Sequence, residues 1–467
     1  MSVLIDKIRV AISPEKKTPS LLAKNDLLEF LCVAAPKIIG GICSLALNLL
    51  LLRYFGPEEF GLYALCTAAI LLSDAIFGSA VDLGVVRLAS VNQGTAPASA
   101  LIIQKAAFYI KVTVVLVATG FVMLSAGVIE RDVLHRTNTG QLIFLSCLAA
   151  LGLMLLRSAQ TNVQIERNFP LYGGLEILQL SMKYGGISLL LAFGSVKPGW
   201  VLFFFAAGPL AAFLTWLALV SKKFRGVGRV RLEHFQSLFR TVKWFALTFG
   251  LGALLSRLDI FLVSTWSSIS EAGIFGAAQV FALIPQMLGT YMAVVYSPRL
   301  MPYLRDGKFA DFFRQFQTIM IAFCVVIFAL AFPALKFFGT WVLPGRFVTA
   351  HSAILVLLPG ALAGLATFPV TITFLMFVRP RFLFTLDCIV LPFVILSYAY
   401  AIPRYGAIGA AWVTSGSCVT RAAIAQLTAW RWLRRRPDMQ RAALAELIAV
   451  GEKVPGRGEF YDPQLQN

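Results

Sequence analysis

The chain has 467 residues, of which 58% are hydrophobic and 14% are charged, whereas soluble proteins average about 45–50% apolar and about 25% charged residues. Its mean hydropathy is +0.78, and long apolar runs are separated by short polar segments. This composition excludes a soluble enzyme, a disordered chain and a small secreted domain held by disulfides. It predicts an all-α polytopic membrane protein, because an unpaired backbone group is costly in hydrocarbon and each run should therefore be helical.

Twelve apolar runs are each long enough to cross a bilayer, which takes about 20 residues. They lie at 31–53, 60–82, 103–129, 140–160, 173–194, 198–220, 242–266, 273–297, 315–338, 351–377, 382–402 and 407–430. Several prolines fall inside these runs, among them Pro36, Pro285, Pro359, Pro369 and Pro392. Proline frees the carbonyl four residues before it. We therefore expect broken helices, with each freed carbonyl facing a neighbouring helix or a water-lined cavity.

The distribution of basic residues predicts the orientation in the membrane. With the N-terminus inside, 29 of the 41 Lys and Arg lie in cytoplasmic segments and 7 lie in outer loops. Because basic residues stay on the cytoplasmic side, both termini are predicted to be cytoplasmic. The same rule accounts for the net charge of +18, so nucleic acid is not expected as a partner.

A single gapless offset of 212 residues aligns the two halves of the chain. Glu59–Tyr63 aligns with Glu271–Phe275, and Phe193-Gly194 aligns with Tyr405-Gly406. Further matches pair Arg87-Leu88 with Arg299-Leu300, Gly127 with Gly339, Arg167 with Arg379, and Trp200-Val201 with Trp412-Val413. Six spans per half is an even number, so the halves are parallel repeats related by an axis along the membrane normal.

The predicted organisation follows from this repeat. A cytoplasmic N-terminal segment (1–26) precedes an N-lobe of helices 1–6 (27–220). A basic cytoplasmic connector (221–241) leads to a C-lobe of helices 7–12 (242–431), and a basic cytoplasmic tail (432–467) follows. Two six-helix lobes that face each other enclose a central cavity, the geometry of alternating access.

The cysteines and histidines give no sign of a metal or redox site. All seven cysteines fall in apolar runs without a CxxC pair, and the three histidines are scattered. Such cysteines are typical of small residues that pack a core. No metal site and no cofactor is predicted.

The segment 53–63, RYFGPEEFGLY, resembles the loop between the first two helices of the Wzx-type polysaccharide flippases of the MOP exporter superfamily. The second half carries weaker matches to the same family at Asp259–Leu262, Glu271–Phe275, Ser297–Leu300 and Tyr405–Ala411. The resemblance covers about residues 31 to 430. We interpret the residues of the first motif as structural, because Gly-Pro is a turn signal and acidic residues favour a helix N-terminus. These residues are Arg53, Gly56, Pro57, Glu59 and Gly61.

The resemblance implies a MATE-like fold and a function. The cargo would be an oligosaccharide linked to undecaprenyl pyrophosphate, carried from the cytoplasmic to the outer leaflet of a bacterial inner membrane. This transport would serve the synthesis of O-antigen, capsule or exopolysaccharide. Membrane lipid would surround the protein, and a polysaccharide polymerase with chain-length machinery would act beside it.

Ionisable residues inside the spans are the candidate functional residues, because a charge in hydrocarbon is costly. An anionic pyrophosphate needs fixed cations, and arginine binds phosphate oxygens bidentately. The candidates for the substrate cavity are Lys37, Arg257, Lys183 and Lys111, and those for a coupling ion are Asp259 and Asp387. For Asp82 and Arg421, which lie near the predicted interfaces, we expect side chains that extend to the membrane surface.

Three alternative functions remain open at this point. A drug or cation exporter of the MATE group would have the same fold, and the Gly-Pro-Glu-Glu-Phe-Gly loop favours the flippase over it. A lipid II flippase usually carries helices beyond twelve. A membrane polysaccharide polymerase or ligase needs a long outer loop, whereas the longest here are 130–139 and 339–350. No phosphate-binding loop for ATP hydrolysis is present, so an enzyme is not expected.

Overall fold

The computed structural model describes residues 24–82, 84–85, 97–133, 139–166, 168–194, 196–225, 230, 232–305, 309–373 and 380–434. Every regular element within these ranges is a helix. The predicted N-terminal segment up to residue 23 and the tail from residue 435 lie outside them. So do the repeat matches at Arg87 and Arg167, and the side chain of Arg299 is also undescribed.

The helices follow one another through the whole described chain. They are α1 (Lys24–Tyr54), α2 (Pro57–Ser73), α3 (Pro97–Leu124), α4 (Gly140–Ile165), α5 (Phe169–Ala192), α6 (Pro198–Arg225), α7 (Leu232–Trp266), α8 (Ile269–Arg305), α9 (Phe309–Val342), α10 (Ala350–Thr373) and a last element, Pro380–Arg434. Beyond Ser73, α2 continues as a π-helical segment, Asp74–Ser79. Short helical turns occupy Ala126–Val128, Ile129–Val133 and Gly345–Phe347.

The last element is a helical hairpin rather than one long helix. Its backbone leaves the helical region at Gly406, with φ 54° and ψ −132°. Tyr398 and Thr414 lie eight residues on either side of this bend, yet their hydroxyl oxygens are 2.9 Å apart. The arms 380–405 and 407–434, called α11 and α12 below, therefore run back along each other.

The prediction of about twelve membrane helices is confirmed. Ten described elements are long and apolar enough to cross a membrane, and one of them, the segment 384–431, contains both arms of the hairpin. The twelfth crossing is α5, which has 24 residues and packs between α1 and α6.

Local backbone geometry supports the parallel repeat. Gly194 and Gly406, which the offset of 212 pairs, have positive φ angles of 65° and 54°. No other described glycine has a positive φ. Since this conformation is accessible mainly to glycine, the matching dipeptides Phe193-Gly194 and Tyr405-Gly406 mark equivalent turns before the last helix of each lobe.

The prediction that prolines break the membrane helices is wrong for α1, α8, α10 and α11, because each continues as one element through its prolines. Neighbouring helices instead accommodate the disturbed backbone. Pro36 frees the carbonyl of Cys32, and α5 approaches this oxygen at Gly173, where a Cβ would lie 2.5 Å from it. Next to Pro359, the N–H of Gly360 donates to the Ser415 hydroxyl at 3.0 Å.

The lobes meet at both ends of the described bundle. Successive helices alternate in direction, so the turns α1–α2, α7–α8 and α11–α12 share one end, called the motif end. There α2 crosses α8 at the repeat-related Gly61 and Gly273, and a Cβ on Gly273 would overlap the Pro57 carbonyl oxygen. At the far end, Val242 of α7 packs against Val81 and Val85 of the N-lobe.

Candidate functional site

An arginine and an aspartate form an ion pair within the N-lobe. The Nε of Arg157 in α4 lies 3.1 Å from Oδ2 of Asp74 in the π-helical segment. The Ser79 hydroxyl lies 3.4 Å from the same carboxylate oxygen and 3.5 Å from the guanidinium. Asp74 is 17 residues from the start of α2, so this pair lies about 26 Å from the motif end.

The π-helical segment brings Asp74 and Ser79 to the same side of the helix. Positions five apart on an α-helix point about 140° away from each other, because each residue turns by about 100°. In a π-helix, i→i+5 hydrogen bonds close each turn, so these positions lie one above the other. The local winding of α2 therefore places the Asp74 carboxylate and the Ser79 hydroxyl next to Arg157.

Two further polar clusters adjoin this pair. Lys111 of α3 forms an ion pair with Asp82 and donates to the Ser158 hydroxyl at 3.0 Å. The carboxylate of Glu176 in α5 accepts hydrogen bonds from Gln160 and, at 3.0 Å, from Gln179. Asp82 and Glu176 both interact electrostatically with Arg157.

The C-lobe buries one carboxylate among neutral donors. Asp259 of α7 is fully buried, and its Oδ2 accepts from the Gln279 amide at 2.8 Å and from the Thr414 hydroxyl at 3.3 Å. Its Oδ1 accepts from the N–H of Ile260 at 2.8 Å. Asp259 precedes the end of α7 by seven residues, which puts it about 10 Å from the motif end.

Asp387 and Arg421 form a third inter-helical ion pair, between α11 and α12, with a separation of 2.7 Å. That Arg421 extends to the membrane surface stays a prediction, and in the structure its guanidinium binds Asp387. The same holds for Asp82, whose carboxylate binds Lys111. In each case the partner is an oppositely charged side chain on another helix.

The predicted cavity cations have different surroundings. Lys111 is enclosed, with 2% of its side chain exposed. The Nζ of Lys37 lies 5.4 Å from the centre of the Tyr172 ring, and that of Lys183 lies 3.5 Å from the centre of the Phe205 ring. Arg257 is half-buried and forms no ion pair with the carboxylates that the structure describes. Lys37, Lys183 and Arg257 thus lie on three different helices and are not gathered into one cluster.

The motif residues have the local geometry of a helix start. Pro57 is the first residue of α2, and the Glu59 carboxylate accepts from the N–H of Gly56 at 3.3 Å. Gly61 is buried at the crossing with α8, whereas Arg53 is exposed at the end of α1. These contacts support the structural interpretation of the motif.

Arg157 is the functional candidate that sequence analysis missed. It was not among the basic residues placed within spans, because it lies near the end of the fourth apolar run. In the structure α4 continues to Ile165, so Arg157 lies within the helix and not at its end. The signal that could have identified it is the buried aspartate on α2, since a carboxylate inside a membrane protein generally pairs with a cation.

Comparison with solved structures places this fold among transporters. The lipid II flippase MurJ in an inward closed conformation superposes with a TM-score of 0.66 at 14% identity, over 93% of this chain and 94% of that chain. An inward-facing multidrug resistance MATE family transporter of the MOP superfamily gives a TM-score of 0.64 at 13% identity, over 89% and 99%. A MOP superfamily transporter from Pyrococcus furiosus, described with a binding pocket of reversed polarity, gives 0.57 at 12% identity, over 88% and 96%.

The chain has the fold of these transporters. The predicted all-α, MATE-like architecture of two parallel lobes is confirmed. We expected a lipid II flippase to differ from this protein by helices beyond twelve. This chain covers 94% of the flippase chain, so the number of helices does not distinguish the two. No protein-family model matches the sequence, and no curated protein matches it.

Proposed function

We propose that this protein translocates an oligosaccharide linked to undecaprenyl pyrophosphate from the cytoplasmic to the outer leaflet of a bacterial inner membrane. The fold shared with a lipid II flippase supports a lipid-linked cargo, and the sequence motif at 53–63 supports a polysaccharide precursor. The basic segments support an orientation with both termini in the cytoplasm. The cargo would serve O-antigen, capsule or exopolysaccharide synthesis.

The observation that carries the proposal is which partner is exposed in two of the ion pairs. The Arg157 side chain is 43% exposed, whereas its partner Asp74 is 5% exposed. Arg421 is 31% exposed and Asp387 is 4% exposed. Both pairs therefore cover the carboxylate and present the guanidinium, which favours an anionic ligand.

The proposal requires a route for such a cargo between the lobes. A polar glycan cannot enter hydrocarbon, so it would travel between the lobes while the prenyl tail stays in lipid. Guanidinium groups such as Arg157 and Arg257 would bind the pyrophosphate, with Lys37 and Lys183 as further cations along the route. No covalent step is required, so we propose transport rather than catalysis.

Two carboxylates are our candidates for coupling to an ion gradient. Asp259 accepts hydrogen bonds from neutral groups only, so it could take up a proton or a sodium ion without first losing a salt bridge. Asp387 is bound to Arg421, and ion uptake there would have to displace the guanidinium. We therefore favour Asp259.

A MATE-like drug or cation exporter is the second candidate function. Asp259 and Glu176 favour it, because both carboxylates are held by neutral side chains and could attract an organic cation. An exporter of this kind would depend on these acidic residues and would tolerate neutral substitutions of Arg157 and Arg257.

The deciding experiment uses a deletion strain with a plasmid copy. Surface polysaccharide is measured together with the leaflet in which lipid-linked oligosaccharide accumulates. We expect loss of polymer and trapping on the cytoplasmic face, both reversed by the plasmid. Normal polymer with altered drug tolerance would favour the exporter. Trapping on the outer face would instead indicate a polymerase or ligase and contradict the proposal.

A further inference from the structure

The contact between Asp74 and Arg157 occupies only one edge of the guanidinium. The carboxylate meets Nε at 3.1 Å, and the Ser79 hydroxyl lies 3.5 Å from the terminal nitrogen Nη1. A guanidinium carries five N–H donors. Its exposed edge therefore keeps donors for a second anion while the first contact persists.

The carboxylate of Asp74 has few other hydrogen-bond partners. Its Oδ1 is buried without a hydrogen-bond partner, and it faces Gly78, where a Cβ would lie 2.7 Å from it. The remaining oxygen relies on Arg157 and Ser79. Removing one partner from a buried ion pair leaves an uncompensated charge, which is strongly unfavourable. A ligand that draws Arg157 away thus meets resistance from Asp74.

From this geometry we propose that Asp74 is an internal competitor for the anion-binding arginine and so limits how tightly the pyrophosphate group is held. The inference rests on the proposed function and deepens it by adding a residue that controls affinity. A transporter must release what it binds, and a carboxylate that recaptures Arg157 would favour release. The π-helical winding of α2 keeps Ser79 on the same side of the helix as Asp74, where its hydroxyl orients Asp74 and Arg157.

The other charges around Arg157 do not offer the same competition. Asp82 is occupied by Lys111, and Glu176 by two amides. Both interact with Arg157 through space, but Asp74 is the carboxylate in ion-pair contact with it among the described residues.

The test measures binding of inorganic pyrophosphate to the purified full-length protein in lipid nanodiscs by calorimetry. Asp74→Asn should bind pyrophosphate at least about fivefold more tightly than the wild type, the scale of a typical coupling between two sites. Arg157→Gln should lose the binding. Asp82→Asn is the matched control, because it removes the same charge from the same helix while its partner Lys111 stays enclosed. Since Asp82 acts on Arg157 only through space, this variant should change the affinity clearly less than Asp74→Asn does.

Three results would overturn the inference. Unchanged or weaker binding by Asp74→Asn would mean that Asp74 only orients Arg157. Equal tightening by Asp74→Asn and Asp82→Asn would indicate a general charge effect. Full binding by Arg157→Gln would place the anion elsewhere. If Asp74→Asn does not fold, Ser79→Ala keeps the charge and should give a smaller change in the same direction.

The test of this inference and the test of the proposed function can fail independently of each other. The proposed function fails if the deletion strain makes normal surface polysaccharide, whatever the pyrophosphate affinities are. The inference fails on the affinities alone, even where the deletion strain traps the precursor on the cytoplasmic face.

Discussion

The carboxylate of Glu271 accepts a hydrogen bond of 2.7 Å from the backbone N–H of Ala407, across 136 residues of chain. Glu271 lies in the first turn of α8, and Ala407 begins α12 just after the bend at Gly406. This contact joins two stretches that the sequence singled out separately, the Glu-x-Gly-x-aromatic match and the Tyr-Gly match. It ties the start of α8 to the hairpin of the last two helices.

Removing this carboxylate should destabilise the protein. A hydrogen bond to a charged group contributes about 1.5–3 kcal/mol, so we expect Glu271→Ala to lower the free energy of unfolding by about that amount. Glu59→Ala is the matched control from the first repeat, since its contact with Gly56 is longer and exposed. Thermal unfolding of the purified proteins would measure the difference, and equal losses would contradict it.

Adding a methyl group at the two left-handed glycines should have unequal effects. Gly194→Ala carries only the backbone cost of a positive φ, about 1–2 kcal/mol, because no atom lies within 4 Å of its Cβ position. Gly406→Ala would in addition place its Cβ 2.5 Å from the Glu271 carboxylate. We expect a clearly larger loss of thermal stability for Gly406→Ala, and similar losses would show that Glu271 moves aside freely.

The close crossing of α2 and α8 depends on Gly61 and Gly273, which have no side chains to keep the backbones apart. Gly273→Ala would overlap the Pro57 carbonyl oxygen, so we expect the lobes to separate at the motif end and transport to fall. Gly364→Ala is the control, because its Cβ position is open and alanine is favoured over glycine in a helix by about 1 kcal/mol. Cross-linking of cysteines placed on α2 and α8 would report the separation, and unaltered cross-linking in Gly273→Ala would refute it.

Two basic side chains within the predicted spans should be required for transport. We expect Lys37→Ala and Arg257→Ala to abolish export of surface polysaccharide while the protein still reaches the membrane, because each removes a charge proposed to bind the pyrophosphate. Immunoblots of membrane fractions control for expression. Normal export by both variants at wild-type expression would refute the cationic route.

Coupling to an ion gradient should depend on Asp259. Asp259→Asn keeps the size of the side chain and removes its charge, so we expect transport that no longer responds to a proton or sodium gradient. Reconstituted vesicles with either gradient imposed would measure this response. If Asp259→Asn responds normally and Asp387→Asn does not, the coupling site belongs to the Asp387–Arg421 pair instead.

The sequence alone determined the membrane class, the number of crossings and the repeat, because these depend on the length of apolar runs and on spacing along the chain. Even the weak match of Phe193-Gly194 with Tyr405-Gly406 identified two equivalent glycine turns. It also identified most of the buried charges as candidates, since any charge inside an apolar run stands out.

Only the tertiary structure decided which of those charges meet. The pairs Lys111–Asp82, Arg157–Asp74 and Arg421–Asp387 each join different helices, and no periodicity in one helix encodes the packing of another. The same limit explains the missed Arg157 and the π-helical winding that places Asp74 on it. Helix contacts across a bundle are set by how small residues such as Gly61 and Gly273 let backbones approach, and that is a property of the folded pair.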